Sequence, residues 1–441
     1  MRAPPVPYRG ARISLKLMLY LYMIYEAGGS TMLKKNGSMK RYAGAVIREG
    51  RSLFYHVFWV LGFWNPNVLL ADDDLTSWET LLEDEHQHAQ RMGEMLIRQL
   101  EKEYVKKNQR VFRDAHSRGI GCVEASFQVN PDLSPTYRTG VFQEAGKTYS
   151  ALIRFSNSLG PAGDHVKDAR GMAIKLFGVP GEKLLPAESQ AMTHDFLQID
   201  APFFPARDAR EFAGFLALKS DPLGFAAFLA KKPILRGREL KALYDLSFGN
   251  PNNGKSLAER TFFSQTAYLL KGPSINKPIK FASIPCAPVS SRPLDGGSAE
   301  LRNDLQIRLH EEGLCYRFAI QEYKEGLGFS VEDGMNRWDE SQSPWIPIAT
   351  IRIPKQTFMT DEKLRYCDNL SFQPWHALAQ HRPLGNLNRS RKVVYEMISH
   401  YRHRMNREGD SLKEPENLDE WDSLQSPEYV EWRDVRVSAG R

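Results

Sequence analysis

Cysteine is scarce in this chain. There are four in 441 residues, Cys122, Cys286, Cys315 and Cys367, and no two form a CxxC pair. Such scattering argues against a zinc ribbon or a disulfide framework and for a reducing, intracellular compartment. A clean membrane-spanning run is also lacking. Ser52–Ala71 carries no formal charge, but Asn65-Pro66-Asn67 interrupts it, and a spanning helix needs ~20 apolar residues. No sign of charge dominates: 59 Lys/Arg against 53 Asp/Glu leave +6, too little to imply a nucleic-acid partner. There is no internal repeat and no long low-complexity stretch. With 42% hydrophobic and 25% charged residues, the bulk is neither disordered nor collagenous nor coiled coil.

What charge there is lies unevenly. Residues 1–60 hold ten Lys/Arg and two Glu, whereas residues 407–441 hold five Lys/Arg and ten Asp/Glu. The chain therefore divides into a basic, apolar-rich extension (1–72), a main domain (73–406) and an acidic, polar, mobile tail (407–441). Leu17–Tyr25 is an apolar run behind Arg2, Arg9, Arg12 and Lys16, which leaves an organelle-targeting segment open. Ser52–Ala71 reads as a helix covering part of the main domain, with peripheral membrane contact through residues 15–71 and a true span as the alternatives.

The main domain begins with a helical pattern over 73–108, capped by Thr76 with Glu79 three residues on. Glu83–His88 reads as a solvated charged face of that helix. Eight strand-like runs follow: 121–129, 149–158, 170–179, 195–199, 261–270, 278–286, 315–323 and 347–354. They fall into two groups of four around a helical insert at 208–248. The expectation is an α+β fold, an eight-stranded antiparallel barrel with a helical insert, an irregular wrapping segment (355–388) and a C-terminal helix over Arg389–Arg404.

Two constellations carry chemistry. His116 lies in Arg113-Asp114-Ala115-His116-Ser117-Arg118-Gly119-Ile120-Gly121, just before a strand, where an imidazole can move a proton. Arg391 and Tyr395 stand at i, i+4 on the last helix, so the guanidinium lies beside the phenol and favours its phenolate. Taken singly, these read as a loop histidine and a surface Arg–Tyr pair.

Their order along the chain resembles the catalase superfamily. Arg113-x-x-His116-x-x-Gly119-x-Gly121 is similar to that family's distal-histidine motif, and Ile153-Arg154-Phe155-Ser156 to the strand behind it. Asp164-His165-Val166-Lys167-Asp168-Ala169-Arg170-Gly171-Met172-Ala173-Ile174-Lys175 is close to its D-x-V-R-D-x-R-G-x-A-x-K run. Pro202-Phe203-Phe204 with Arg207-Asp208 and Phe212, then Phe372-x-Pro374, Arg391-x-x-x-Tyr395 and Arg402, complete the series. The resemblance implies haem b with Tyr395 as iron ligand, a tyrosinate as in catalase, and Arg391 holding it anionic. It implies His116 as distal acid/base oriented by Ser156. It further implies Arg113, Arg154 and Arg402 at the haem propionates, and Phe212 near the haem face.

Three departures matter. Ile199 or Asp200 stands where the family places a distal Asn. Ala115 replaces a bulkier residue before His116. The usual continuation after the proximal Tyr and a large C-terminal domain are missing. These features are nearer to compact catalase-related proteins such as allene oxide synthases and small organic peroxidases. Three readings stay open: an enzyme cleaving the O–O bond of organic, lipid hydroperoxides; a true catalase or peroxidase using hydrogen peroxide; and a haem-binding sensor or inactive scaffold. A homo-oligomer is a further open expectation.

Overall fold

The computed structural model describes residues 75–158, 162–220, 233–289, 292–358, 360–406 and 414–424. The expectations for residues 1–72, including membrane contact through 15–71, lie outside them. No helix among the described residues is long and apolar enough to cross a membrane.

Nine strands form one antiparallel sheet: β1 (Gly119–Val129), β2 (Thr148–Asn157), β3 (Arg170–Phe177), β4 (Thr193–Ile199), β5 (Phe262–Phe263), β6 (Tyr268–Gly272), β7 (Ile275–Pro285), β8 (Leu314–Glu322) and β9 (Ile346–Ile353). Their order is β5-β4-β3-β2-β1-β9-β8-β7-β6, and β5 also pairs with β7, which closes the ring. β5 and β6 are halves of the strand expected at 261–270, separated where Gln265 adopts φ 61°. The result is the expected eight-stranded barrel. Its interior is filled by Phe127, Phe196, Phe281 and Phe318, with ring centroids 4.7–5.9 Å apart. At these spacings aromatic pairs pack favourably and fill the barrel interior. The cavity that holds the candidate site is lined by both the barrel wall and the helices.

Seven helices are described: α1 (Glu85–Leu100), α2 (Ala209–Ser220), α3 (Pro233–Leu246), α4 (Glu300–Glu311), α5 (Asp361–Asn369), α6 (Asn386–Asn406) and α7 (Asp419–Ser423). α1 and α6 share one apolar cluster containing Ala89, Met92, Ile97, Leu100, Val393, Met397, Tyr401 and Met405. They approach closely at Gly93, where a Cβ would sit 2.3 Å from Met397 Sδ. α5 falls in the stretch read as irregular. Its signal is Thr360, whose side chain accepts the Lys363 N–H at 3.1 Å, an N-cap bond.

Four expectations are corrected. The helix starts at Glu85 and not near residue 76: the Glu79 carboxylate does accept the Thr76 N–H at 3.2 Å, but it also binds Arg389 (2.7 Å) and Arg382 (2.8 Å), and no helix follows until Glu85. Glu85 is not solvated: it is buried and binds Arg389 at 2.7 and 2.8 Å. A buried arginine needs such partners, since an unpaired buried charge costs about 3–5 kcal/mol. The cysteines are paired, Cys122 with Cys367 and Cys286 with Cys315. Adjacency here comes from tertiary pairing: β7 and β8 are neighbours with Pro285 opposite Tyr316. The compartment argument built on unpaired thiols falls with that correction. Finally, residues 414–424 are no free tail. Thr193 Oγ1 donates to Glu414 at 2.6 Å, Lys175 pairs with the same carboxylate, and the buried Trp421 donates to Glu124 at 2.6 Å.

Candidate active site

A cavity of about 1860 Å³ lies between the barrel wall and the helices. Arg113, His116, Arg154, Ser156, Phe212, Arg391, Tyr395 and Arg402 all line it. Residues spread over nearly 290 positions of sequence thus meet at one space.

The barrel side carries His116. Its Nδ1 is 3.0 Å from Ser156 Oγ on β2, and its main-chain N–H donates to Ser158 O at 3.1 Å. The residue has φ 58°, an uncommon conformation for a side chain other than glycine. Gly171 on β3 makes room for the pair: a Cβ there would lie 2.6 Å from His116 Nδ1 and 2.8 Å from Ser156 Oγ. Burial, then the charges of Arg154, Arg391 and Arg113, pushes the His116 pKa down to about 3. The imidazole is therefore neutral across the ordinary pH range and able to accept a proton.

The helical side carries Arg391 and Tyr395 on α6. Leu387, Arg391, Val394, Tyr395, Ile398 and Arg402 share the cavity-facing stripe, while Val393, Met397 and Tyr401 face α1, as helical periodicity requires. Arg391 Nη2 donates to the Tyr395 hydroxyl at 3.2 Å, and Nη1 to Asn388 Oδ1 at 3.1 Å. Burial disfavours the Arg391 charge, but Tyr395 and Tyr268 hold it above its ordinary value. Phe212 packs edge-on to Phe204, centroids 4.8 Å apart.

At a third edge, Arg113, Arg154 and Arg402 surround the C-terminal end of α5. Arg154 Nη2 is 3.2 Å from Asp368 Oδ1, Arg113 Nη1 is 3.2 Å from Asp368 O, and Arg402 Nη2 reaches Asn369 O at 3.3 Å. Phe215, Leu216, Leu197 and Ile199 supply apolar wall. Ile199 lies opposite Gly171 in the β3–β4 register, next to the histidine. Asp200, one of the two expected replacements for a distal Asn, does not line the cavity. Its carboxylate accepts the Arg170 N–H at 2.8 Å and pairs with buried Arg260. Ile199 is the residue that faces the space.

A polar group on the far wall escaped the sequence. His376 bonds Glu188 through Nε2 at 3.0 Å and Asp195 through Nδ1 at 2.9 Å, with Glu414 at 3.3 Å. Burial lowers its pKa, but Glu414 and Glu188 outweigh that and raise it to about 10. Three carboxylates thus favour the protonated ring in the metal-free protein, and Glu188, His376 and Glu414 bring their ligand atoms within 4.8 Å of one another. The neutral histidines work the other way. His116 and His381 are lowered to about 3, His403 to about 4, and His194 well below its usual value, in each case by burial first. Unfolded imidazoles take up protons below about 6.5, whereas these do not. Their stability contribution is full above that pH and is lost as pH falls toward 3–4, at up to about 1.4 kcal/mol per pH unit each. Urea unfolding at pH 7 and pH 4.5 should show a markedly lower midpoint at pH 4.5; equal midpoints would show that these histidines are not held neutral.

Residues 81–224 match the family model described as Catalase. Over 113 residues the chain is 31% identical to Catalase-2 of Caenorhabditis elegans, covering 25% of this chain and 20% of that protein. Over 67 residues it is 37% identical to the catalase of Danio rerio, covering 15% of this chain and 12% of that one. The matched stretch thus spans about a fifth or less of these relatives. In structure, the chain is similar to a fungal catalase (TM-score 0.55, 16% identity, 76% of this chain and 72% of the other). It is also similar to catalase A from Saccharomyces cerevisiae (TM-score 0.55, 18% identity, 67% and 62%).

Proteins of this family bind haem, and the cavity wall fits it. The space exceeds the ~300–1,000 Å³ of ordinary small-ligand pockets. It joins a phenol held by a guanidinium, a neutral imidazole, an apolar belt and three arginines suited to carboxylates. Residues 81–224 are thus similar to catalases in sequence, and the described residues form a closed barrel of the catalase fold.

Proposed function

We propose that this chain is a haem-dependent enzyme whose substrates are organic hydroperoxides, fatty-acid hydroperoxides in particular. The observation that carries the reading is the wall beside His116, where Ala115 and Ile199 leave an apolar space. Tyr395 would hold the iron, with Arg391 Nη2 donating to its oxygen; Arg113, Arg154 and Arg402 would bind the propionates. Bound there, haem supplies an iron centre at which a peroxide O–O bond can break. His116, neutral and fixed through Nδ1 by Ser156, takes a proton from the hydroperoxide at its other nitrogen and returns it to the departing oxygen. The apolar belt excludes water and holds an alkyl chain.

Each buried CH₂ contributes ~0.8 kcal/mol, against ~1 kcal/mol for one missing hydrogen bond. A few methylenes thus outweigh the lost donor. A C18 hydroperoxide is expected to give kcat/KM at least roughly tenfold above that for hydrogen peroxide, since 1.4 kcal/mol is a factor of ten. Ala115→Val with Ile199→Asn should shift the ratio toward hydrogen peroxide. Vigorous oxygen release from hydrogen peroxide, with no consumption of the lipid hydroperoxide, would overturn the substrate assignment. That second reading, a catalase proper, is favoured by Gln198. It lines the cavity, and its side-chain nitrogen has no partner among the described residues, so it could donate to a small peroxide.

A further inference from the structure

We propose that Asp368 is the positioning residue of the arginine edge, an internal counter-ion that keeps Arg113 and Arg154 assembled against their mutual repulsion. The proposal rests on the haem reading for what these arginines bind, but its evidence is separate. Asp368 Oδ1 lies 3.2 Å from Arg154 Nη2 and 3.6 Å from Arg113 Nη1. The main chain just beyond continues the work. Arg402 donates to the carbonyls of Asp368, Asn369 and Leu370, and Arg113 to those of Asp368 and Leu370. These carbonyls stand at the C-terminal end of α5, where a helix presents unsatisfied oxygens and partial negative charge.

The grouping needs such an anchor. Burial, then Arg154 and Arg402, depresses the Arg113 pKa; Asp368 opposes them, and Arg110 adds to the crowding. A covalent bond fixes the anchor in place. Cys367, the residue before Asp368, is joined to Cys122, and Cys122 is the cross-strand neighbour of Arg154. The disulfide therefore ties the acceptor to the strand that carries one of its donors.

This role predicts that haem and Asp368 act in part on the same charges. Thermal midpoints of the full chain should be measured without haem and with one equivalent of haem. Asp368→Asn should lower the haem-free midpoint by roughly 5 °C and the haem-loaded midpoint by clearly less, because the propionates would supply counter-charge. Asp368→Glu should restore the haem-free value. Equal falls in both states, or no fall in either, would overturn the proposal while leaving haem binding standing. A parent chain whose midpoint and spectrum do not respond to haem overturns the haem reading and this inference with it. If Asp368→Asn gives no folded protein, Asp368→Asn with Arg113→Gln should recover it, since one repelling charge is gone; failure of that double variant also overturns the counter-ion role.

Discussion

Replacing His116 with alanine is expected to cut peroxide turnover by about 10²–10⁴-fold, the usual range for a positioned acid–base group, while haem content stays at the parent level. The separation of the two effects follows from placement. His116 sits on the barrel side, whereas Tyr395, assigned to the iron, stands on α6, and the guanidinium groups of Arg113, Arg154 and Arg402 gather at the end of α5. The imidazole is also well prepared for proton transfer. Ser156 fixes Nδ1, which leaves Nε2 for a substrate, and burial with three arginines keeps the ring unprotonated down to about pH 3. The acid limb of kcat/KM should therefore lie far below the ordinary histidine value of about 6.5. Ser156→Ala should give a smaller loss, because it loosens the ring without removing the base. A folded His116→Ala protein with unchanged turnover would eliminate the acid–base role.

Local signals made the barrel readable. Alternating runs such as Ala151-Leu152-Ile153-Arg154-Phe155 mark strands by their period of two, and all eight expected runs are strands in the fold. The candidate site residues came from another source, the ordered resemblance to catalase-superfamily motifs: i, i+4 geometry alone pairs Arg391 with Tyr395 but leaves them an ordinary surface pair, and the structure brings both to the cavity. What escaped depends on contacts between distant segments. Nothing local says that Glu85 meets Arg389, that Glu414 meets Lys175, or that Cys122 meets Cys367, 245 residues away. Charged residues in a polar stretch look solvated until a partner from elsewhere buries them. Asp368 belongs to the same class. It was hidden in a stretch read as irregular, although the Thr360 cap was a usable sign of α5. The misplacement of Asp200 has a narrower cause. Adjacent strand residues face opposite ways, so one position decides between the cavity and a buried ion pair with Arg260.

Tyr395→Phe is expected to lower haem content by at least about tenfold and to abolish any spectral feature of tyrosinate ligation. Partners that merely orient a metal ligand typically carry 10–100-fold in affinity, so removing the ligand oxygen itself should do no less. The helix around it is built to hold that oxygen still. Arg389, fully buried, binds Glu79 and Glu85 and so fixes the first turn of α6. Asn388 donates to Ala267 O at 2.9 Å and accepts from Arg391, setting the guanidinium that reaches the Tyr395 hydroxyl. Phenylalanine keeps the ring and its packing beneath Arg391, whose guanidinium carbon lies 5.2 Å from the ring centroid. The variant should therefore fold, with a far-ultraviolet spectrum like the parent's. The buried Arg391 charge would lose one of the groups that hold it, which should cost about 1–3 kcal/mol of stability. Absorption spectra and a pyridine haemochrome assay on matched preparations test this directly. A Tyr395→Phe protein that keeps the parent's haem stoichiometry and spectrum would show that the iron ligand is some other residue.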